Sequence, residues 1–128
     1  MTHQELVERF ERVTLSPELF SHREHVRLAW IYLRENPPLT ALEKFCEGLK
    51  RFAASLGKAD RYHETISWAF LFLIHERMAK TESADSWEAF VELNGDLFNW
   101  NPSILSRYYR EKTLQSDLAK RVFLFPDK

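Results

Sequence analysis

The stretch RYHETISWAFLFLIHERMAK, Arg61 to Lys80, contains the most apolar segment of this chain. On a helix of 3.6 residues per turn, its apolar side chains lie nearly all the way around the axis, which is typical of a helix buried on most sides. Asp60 precedes the stretch and can cap the free amides of a first helical turn. We therefore predict a central, buried helix from Asp60 to Lys80.

The composition of the whole chain favours a helical fold around this segment. Its 128 residues include only three glycines and five prolines, whereas sandwiches and barrels need many turn residues. A chain of this length suits one domain with one core. We predict a single all-α domain over residues 1–128, a bundle of about five to seven helices.

Three amphipathic helices are predicted before this segment, each with a polar residue that can cap it. They run from Thr2 to Val13, from Ser21 to Asn36 and from Thr40 to Gly57. Ser21 with Glu24, and Thr40 with Glu43, match the capping-box pattern, in which two side chains satisfy free amides at a helix start. Gly48, in the middle of the third helix, predicts either close helix packing or a slight irregularity of the helix there. Shorter helices are predicted in ADSWEAFVELNG, in NPSILSRYY with Asn101 as its cap, and in SDLAKRVF.

The charge of the chain and its single cysteine indicate which partners and which cellular compartment to expect. The chain has 18 basic and 19 acidic residues, so it lacks the broad basic field that attracts nucleic acid or anionic lipid. Cys46 is the only cysteine, which excludes an internal disulfide and suits a reducing compartment. Neither a signal peptide nor a membrane-spanning apolar run is recognisable. We expect a soluble, cytoplasmic protein that binds neither nucleic acid nor membranes.

Four polar side chains at the starts of two predicted helices could form a metal site. The stretch FSHREHVRLAW, Phe20 to Trp30, places His22 within an apolar stripe and His25 on its flank. If this helix start lies beside that of the central helix, both histidines converge with His63, and Glu64 becomes a fourth ligand or an orienting partner. Imidazole and carboxylate are common ligands of zinc, iron, nickel and copper. We therefore predict a divalent transition-metal or small polar-ligand site.

A metal-free interpretation of the same histidines stays open. Histidines near helix starts often hydrogen-bond to neighbouring groups and are then structural. The chain has no Gly-x-Ser-x-Gly elbow and no glycine-rich phosphate loop, and Cys46 lies among apolar neighbours, so no reaction is identified. The alternative function is a protein–protein interaction module or a homodimerisation domain with structural histidines. Whether the chain is an enzyme is left open.

Three blocks of the sequence, FSHREHVRLAWIYL, RYHETISWAF and LSRYYREKTLQSDLAKRVFLFPD, together resemble a family of short, uncharacterised bacterial proteins. That family shares the patterns F-x-H-x-x-H-x-R-x-A-W and Y-H-x-T and an ending Y-Y…L-x-S…PD. The motif positions fall here on His22, His25, Arg27, Trp30, Tyr62, His63 and Thr65, with Tyr108, Leu114 and Pro126 in the tail. The resemblance implies that these residues form one site, in which Arg27, Trp30, Tyr62 and Thr65 bind a ligand beside the histidines. It implies no particular substrate.

Overall fold

The computed structural model describes residues 1–81 and 85–128, and within them the protein is all-α. Seven α-helices occur there and no β-sheet, which confirms the predicted fold class. The chain divides into two compact units, Met1–Tyr62 and His63–Lys128. The prediction that both belong to one domain stays a prediction. Within the described residues, no helix is both long enough and apolar enough to span a bilayer.

The first unit contains three α-helices and two short 3₁₀ turns. The helices are α1 (His3–Glu11), α2 (His22–Glu35) and α3 (Pro38–Ser55), and the turns are Pro17–Leu19 and Ala59–Arg61.

Of the three predicted helix starts in this unit, the structure corrects only the third, but it also corrects the capping boxes predicted at the second and the third. Thr2 and Glu5 do form a capping box at α1. Ser21 precedes α2 but its side chain makes no capping hydrogen bond, so the predicted box there is wrong. The box predicted at Thr40 is also wrong, because α3 already begins at Pro38. The proline ring presets a helical φ at a position where no amide hydrogen is needed, so the helix starts there.

The core of the first unit confirms the close approach predicted at Gly48. A Cβ atom added to this glycine would overlap the ring of Phe10, which is completely buried. The same ring lies 5.4 Å from Phe20, and Phe20 lies 5.0 Å from Phe52. Gly48 therefore lets α3 approach α1 closely enough to enclose these aromatic side chains.

The second unit is organised by α4 (Glu64–Lys80). After it come α5 (Trp87–Leu93), α6 (Glu111–Leu114) and α7 (Asp117–Arg121), with 3₁₀ turns at Gly95–Phe98 and Ile104–Arg107. Residues 122–128 form no helix and extend beyond α7 as a tail. The helix predicted in ADSWEAFVELNG is α5, although Ala84 lies outside the described residues. Ser103, and not Asn101, caps the turn Ile104–Arg107, because its hydroxyl accepts the amide of Leu105.

The start of α4 differs from the predicted start at Asp60. Asp60 lies in the turn Ala59–Arg61, and His63 caps the helix by accepting the Ile66 amide on its Nδ1 atom at 3.1 Å. The helix is also less evenly buried than its sequence predicts. Phe70, Leu71, Leu73 and Ile74 are buried, but the side chain of Phe72 is 37% exposed.

The C-terminal end of α4 is held by an ionic network with the turn Gly95–Phe98. Arg77 makes two hydrogen bonds to the carboxylate of Asp96, at 2.8 and 2.9 Å, and a third to the side-chain oxygen of Asn94 at 3.1 Å. Arg107 contacts the same carboxylate at 3.0 Å. Chiefly through the Arg77 hydrogen bond, these contacts lower the pKa of Asp96 to about 2.

Candidate functional site

His63, a predicted metal ligand, uses both ring nitrogens within the second unit. Its Nδ1 atom accepts the Ile66 amide, so the proton of the neutral ring lies on Nε2. The Nε2 atom is 2.7 Å from the carbonyl oxygen of Leu114 and donates to it. Since a metal ion needs an imidazole lone pair, coordination by His63 would require the loss of one of these hydrogen bonds.

The two neighbouring motif residues also make internal hydrogen bonds. Glu64, the predicted fourth ligand, accepts the indole N–H of Trp68 at 3.0 Å and so orients that ring. Thr65, a predicted ligand-binding residue, is completely buried. Its hydroxyl donates to the carbonyl of Val122 at 2.7 Å and accepts the amide of Leu124 at 3.1 Å. The Y-H-x-T block thereby connects the start of α4 with distant parts of the chain.

The tail, residues 122–128, makes further hydrogen bonds to the rest of the second unit. The Tyr109 hydroxyl donates to the carbonyl of Leu124 at 2.7 Å. The carboxylate of Asp127 accepts the Arg110 amide at 3.0 Å and the hydroxyl of Thr113, and these hydrogen bonds lower its pKa. Together with Thr65, these contacts hold residues 122–128 against the rest of the unit. The C-terminal residues of the resemblance and its Y-H-x-T block therefore belong to one structural arrangement.

His25 lies in the first turn of α2, where it is partly enclosed. Its Nδ1 atom is 2.8 Å from the carbonyl oxygen of Ser21, and its ring stacks on Phe20 with centroids 3.8 Å apart. Burial is the main cause that lowers the pKa of His25, and the positive charge that His22 can carry adds to the effect. The neutral ring is therefore favoured, and its Nδ1–H group donates a hydrogen bond to the Ser21 carbonyl. His22 is half-buried.

Arg27 and Trp30, two other predicted ligand-binding residues, organise the N-terminal residues of the first unit. The Arg27 guanidinium donates to His3 Nδ1 at 2.9 Å, to the Met1 carbonyl at 2.7 Å and to Glu24 at 3.1 Å. The buried Trp30 ring lies 5.5 Å from the His3 ring. These contacts give the arginine a structural role in fixing the start of α1.

The last predicted ligand-binding residue, Tyr62, lies at the end of the first unit. It is half-buried, and the Lys50 ammonium group lies 5.2 Å from its ring centroid. This distance is within the range of a cation–π contact.

Across residues 1–81 and 85–128, no group of three or more His, Cys, Asp and Glu side chains could hold a metal ion. The predicted set His22, His25, His63 and Glu64 therefore stays a prediction as a metal site.

A cavity of about 270 Å³ in the second unit was missed by the sequence analysis. It opens between α4, the turn Ile104–Arg107 and the tail, and its lining is mostly apolar. The lining residues are Ala69, Phe72, Leu73, Glu76, Leu105, Tyr108, Tyr109, Phe123 and Pro126. Phe72 and Glu76 are four residues apart and so share a face of α4, which is the only signal of this cavity in the sequence. The aromatic residues alone are equally typical of a core.

Four aromatic side chains, which we call the aromatic cluster, contact one another around Phe123, and two of them, Phe72 and Phe123, also line the cavity. They are Trp68, Phe72, Phe123 and Phe125. Phe123 stacks on Trp68 at 5.2 Å and meets Phe72 edge-on at 5.8 Å. Phe125, whose ring centroid is 5.9 Å from that of Phe123, is 82% exposed. The tail thus presents apolar surface to solvent beside an apolar cavity.

Comparisons of the chain with family models, with curated proteins and with solved structures give no match. The resemblance to short bacterial proteins accordingly stays a prediction.

Proposed function

We propose that this protein is a metal-free interaction module, and that the cavity of its second unit binds a side chain of a protein partner. The observation that carries the proposal is the combination of an apolar cavity of about 270 Å³ with the neighbouring exposed ring of Phe125. Protein partners commonly bind through a few apolar anchors that enter such cavities, surrounded by weaker contacts. A cytoplasmic location is part of the proposal, because the only cysteine is free and buried.

The size of the cavity suits a single side chain and lies near the lower limit of pockets that hold whole small molecules. Pockets for drug-sized ligands measure about 300 to 1,000 Å³, so this cavity lies just below that range. Phe72 lines the cavity and is 37% exposed, and the exposed Phe125 adds apolar area next to Phe123. A short partner segment could place one side chain in the cavity and cover the aromatic cluster with its neighbours.

Peptide selection on the immobilised full-length protein tests this proposal. We expect selected peptides to bind the wild type and to lose at least tenfold in affinity with Ala69→Leu, which fills the cavity. Leu93→Ala is the matched control, because Leu93 is 56% exposed and does not line the cavity. Its affinities should equal those of the wild type, with or without a chelator. Circular dichroism verifies that both variants are folded.

Three outcomes would overturn the proposal. The first is that no peptide is enriched over a blank surface. The second is that Ala69→Leu binds the selected peptides as tightly as the wild type. The third is that sedimentation reveals a concentration-dependent dimer that Phe72→Ala abolishes, because a second copy of the chain would then be the occupant.

A transition-metal site is the second candidate function. One observation favours it: the hydrogen bond between His25 Nδ1 and the Ser21 carbonyl resembles the bonds that orient metal-binding imidazoles. Under this proposal, untagged protein retains a stoichiometric metal, and His25→Ala loses it. Elemental analysis distinguishes the two proposed functions, because an interaction module without a metal would contain no stoichiometric metal in either protein.

A further inference from the structure

We propose that the side chain bound by the cavity is basic, with an alkylammonium group held between aromatic rings and a carboxylate. This inference rests on the proposed function, because it takes the cavity as the binding site for a partner. It adds the chemical class of the anchor, namely a lysine side chain or its methylated form.

The lining of the cavity is rich in aromatic rings, which can attract a cation. Phe72 and Phe123 both line the cavity, with ring planes at 88° and centroids 5.8 Å apart, and Tyr108 and Tyr109 add two further aromatic rings. The face of an aromatic ring carries negative electrostatic potential, and it attracts an ammonium group within about 6 Å. A purely apolar anchor gains nothing from this potential.

The lining also contains one carboxylate that can serve as the counter-charge of a cation. Glu76 is the only charged residue in the lining of the cavity, one helical turn beyond Phe72. Its carboxylate already has an ammonium neighbour, since Lys80 Nζ lies 3.5 Å away. Both side chains of this pair are more than half exposed, so the pair contributes little stability and a partner's ammonium can compete for the carboxylate.

The two arginines near this end of α4 already have acidic or amide partners. Arg77 follows Glu76 in α4, and its guanidinium is bound by Asp96 and Asn94. Arg107 is paired with the same aspartate. The lining itself therefore presents the negative charge of Glu76 together with four aromatic rings.

Three peptides that differ at one position test the inference. Acetylated Gly-Gly-X-Gly-Gly amides carry lysine, trimethyllysine or norleucine at X, and norleucine retains an aliphatic chain without the ammonium group. Binding to the full-length protein is followed by nuclear magnetic resonance titration. We expect both cationic peptides to bind about three- to tenfold more tightly than the norleucine peptide. Trimethyllysine should bind most tightly, because its cation is less strongly hydrated.

Matched variants connect this preference with the cavity. Glu76→Gln should remove most of the difference between lysine and norleucine. Glu92→Gln should retain it, because Glu92 is an exposed acid of α5 outside the cavity. Ala69→Leu should abolish the binding of all three peptides.

The outcomes separate this inference from the proposed function. Equal affinities for lysine and norleucine, together with loss of both in Ala69→Leu, would overturn the basic anchor and leave an apolar one. Failure of all three peptides, while library peptides still bind in an Ala69-dependent way, would also overturn it. If Ala69→Leu changes no affinity at all, the proposed function fails as well.

Discussion

Replacing Thr65 with valine tests whether one buried hydroxyl fastens the tail to α4. Thr65 is 0% exposed, and its hydroxyl donates to the Val122 carbonyl and accepts the Leu124 amide, at 2.7 and 3.1 Å. Valine has nearly the same shape but no hydroxyl. The substitution therefore removes both hydrogen bonds, leaves two backbone groups without these partners and creates almost no cavity.

The expected loss follows from these two contacts. A buried polar group that loses its partner costs about 1–3 kcal/mol. Val122 is exposed and Leu124 half-buried, so water can reach part of the site. We therefore expect a loss of about 2–3 kcal/mol in the free energy of unfolding, below the sum of two full penalties. The control Thr65→Ser retains the hydroxyl and loses one methyl group, at about 0.5–1.5 kcal/mol.

Urea denaturation of the three proteins gives the free energies, and hydrogen exchange of the Leu124 amide reports on the tail directly. Thr65→Val should lower the protection of this amide, whereas Thr65→Ser should largely maintain it. The reasoning is refuted if valine is tolerated within about 0.5 kcal/mol, the usual scatter of neutral substitutions. It is equally refuted if serine costs as much as valine.

Three further predictions concern other parts of the structure. Gly48→Ala places a methyl group against the ring of Phe10, and urea denaturation should give a loss of about 1–3 kcal/mol; unchanged stability would mean that the ring moves aside freely. Hydrogen bonding to Arg77 lowers the pKa of Asp96 from 3.8 to about 2, so its stabilisation is complete above pH 4 and is lost as the pH falls toward 2. Asp96→Asn should lower the free energy of unfolding by about 1–2 kcal/mol at pH 7, allowing for partial exposure. Between pH 4 and 2, the free energy of unfolding of this variant should depend less on pH than that of the wild type. An equal pH slope in both proteins would contradict this. Burial lowers the pKa of His25 below 6.5, so the unfolded chain binds its proton more readily, and the free energy of unfolding should fall as the pH drops below about 6.5. In His25→Phe, the midpoint of urea denaturation should fall less over this pH range than in the wild type. An identical fall in both proteins would contradict the prediction.

Helix starts illustrate how far local sequence rules extend in this protein. Thr2 and Glu5 do cap α1, but the same pattern at Ser21 and Thr40 forms no box. A capping pattern records only what two side chains can do, whereas neighbouring residues decide where the helix begins. Pro38 starts α3 early, so Thr40 falls inside the first turn.

The candidate site was harder to predict than the fold, because its polar residues pair across long stretches of chain. His63 hydrogen-bonds to a carbonyl 51 residues away, and Thr65 to one 57 residues away. The sequence cannot indicate which backbone carbonyl accepts a hydrogen bond, since every residue has one. The sequence therefore indicated that these side chains are engaged without indicating by what.

The sequence by itself determined that the protein is helical and where most helices run, and it marked Gly48 as a position of close packing or of irregularity. These properties depend on contacts between residues three or four positions apart and on the volume of single side chains, which helical periodicity records directly. Only the tertiary structure decided that the Y-H-x-T block secures the tail, and that Phe72, Glu76 and Phe123 border one cavity. The physical reason is that the path by which the tail returns to α4 depends on all the intervening packing, which no local pattern encodes.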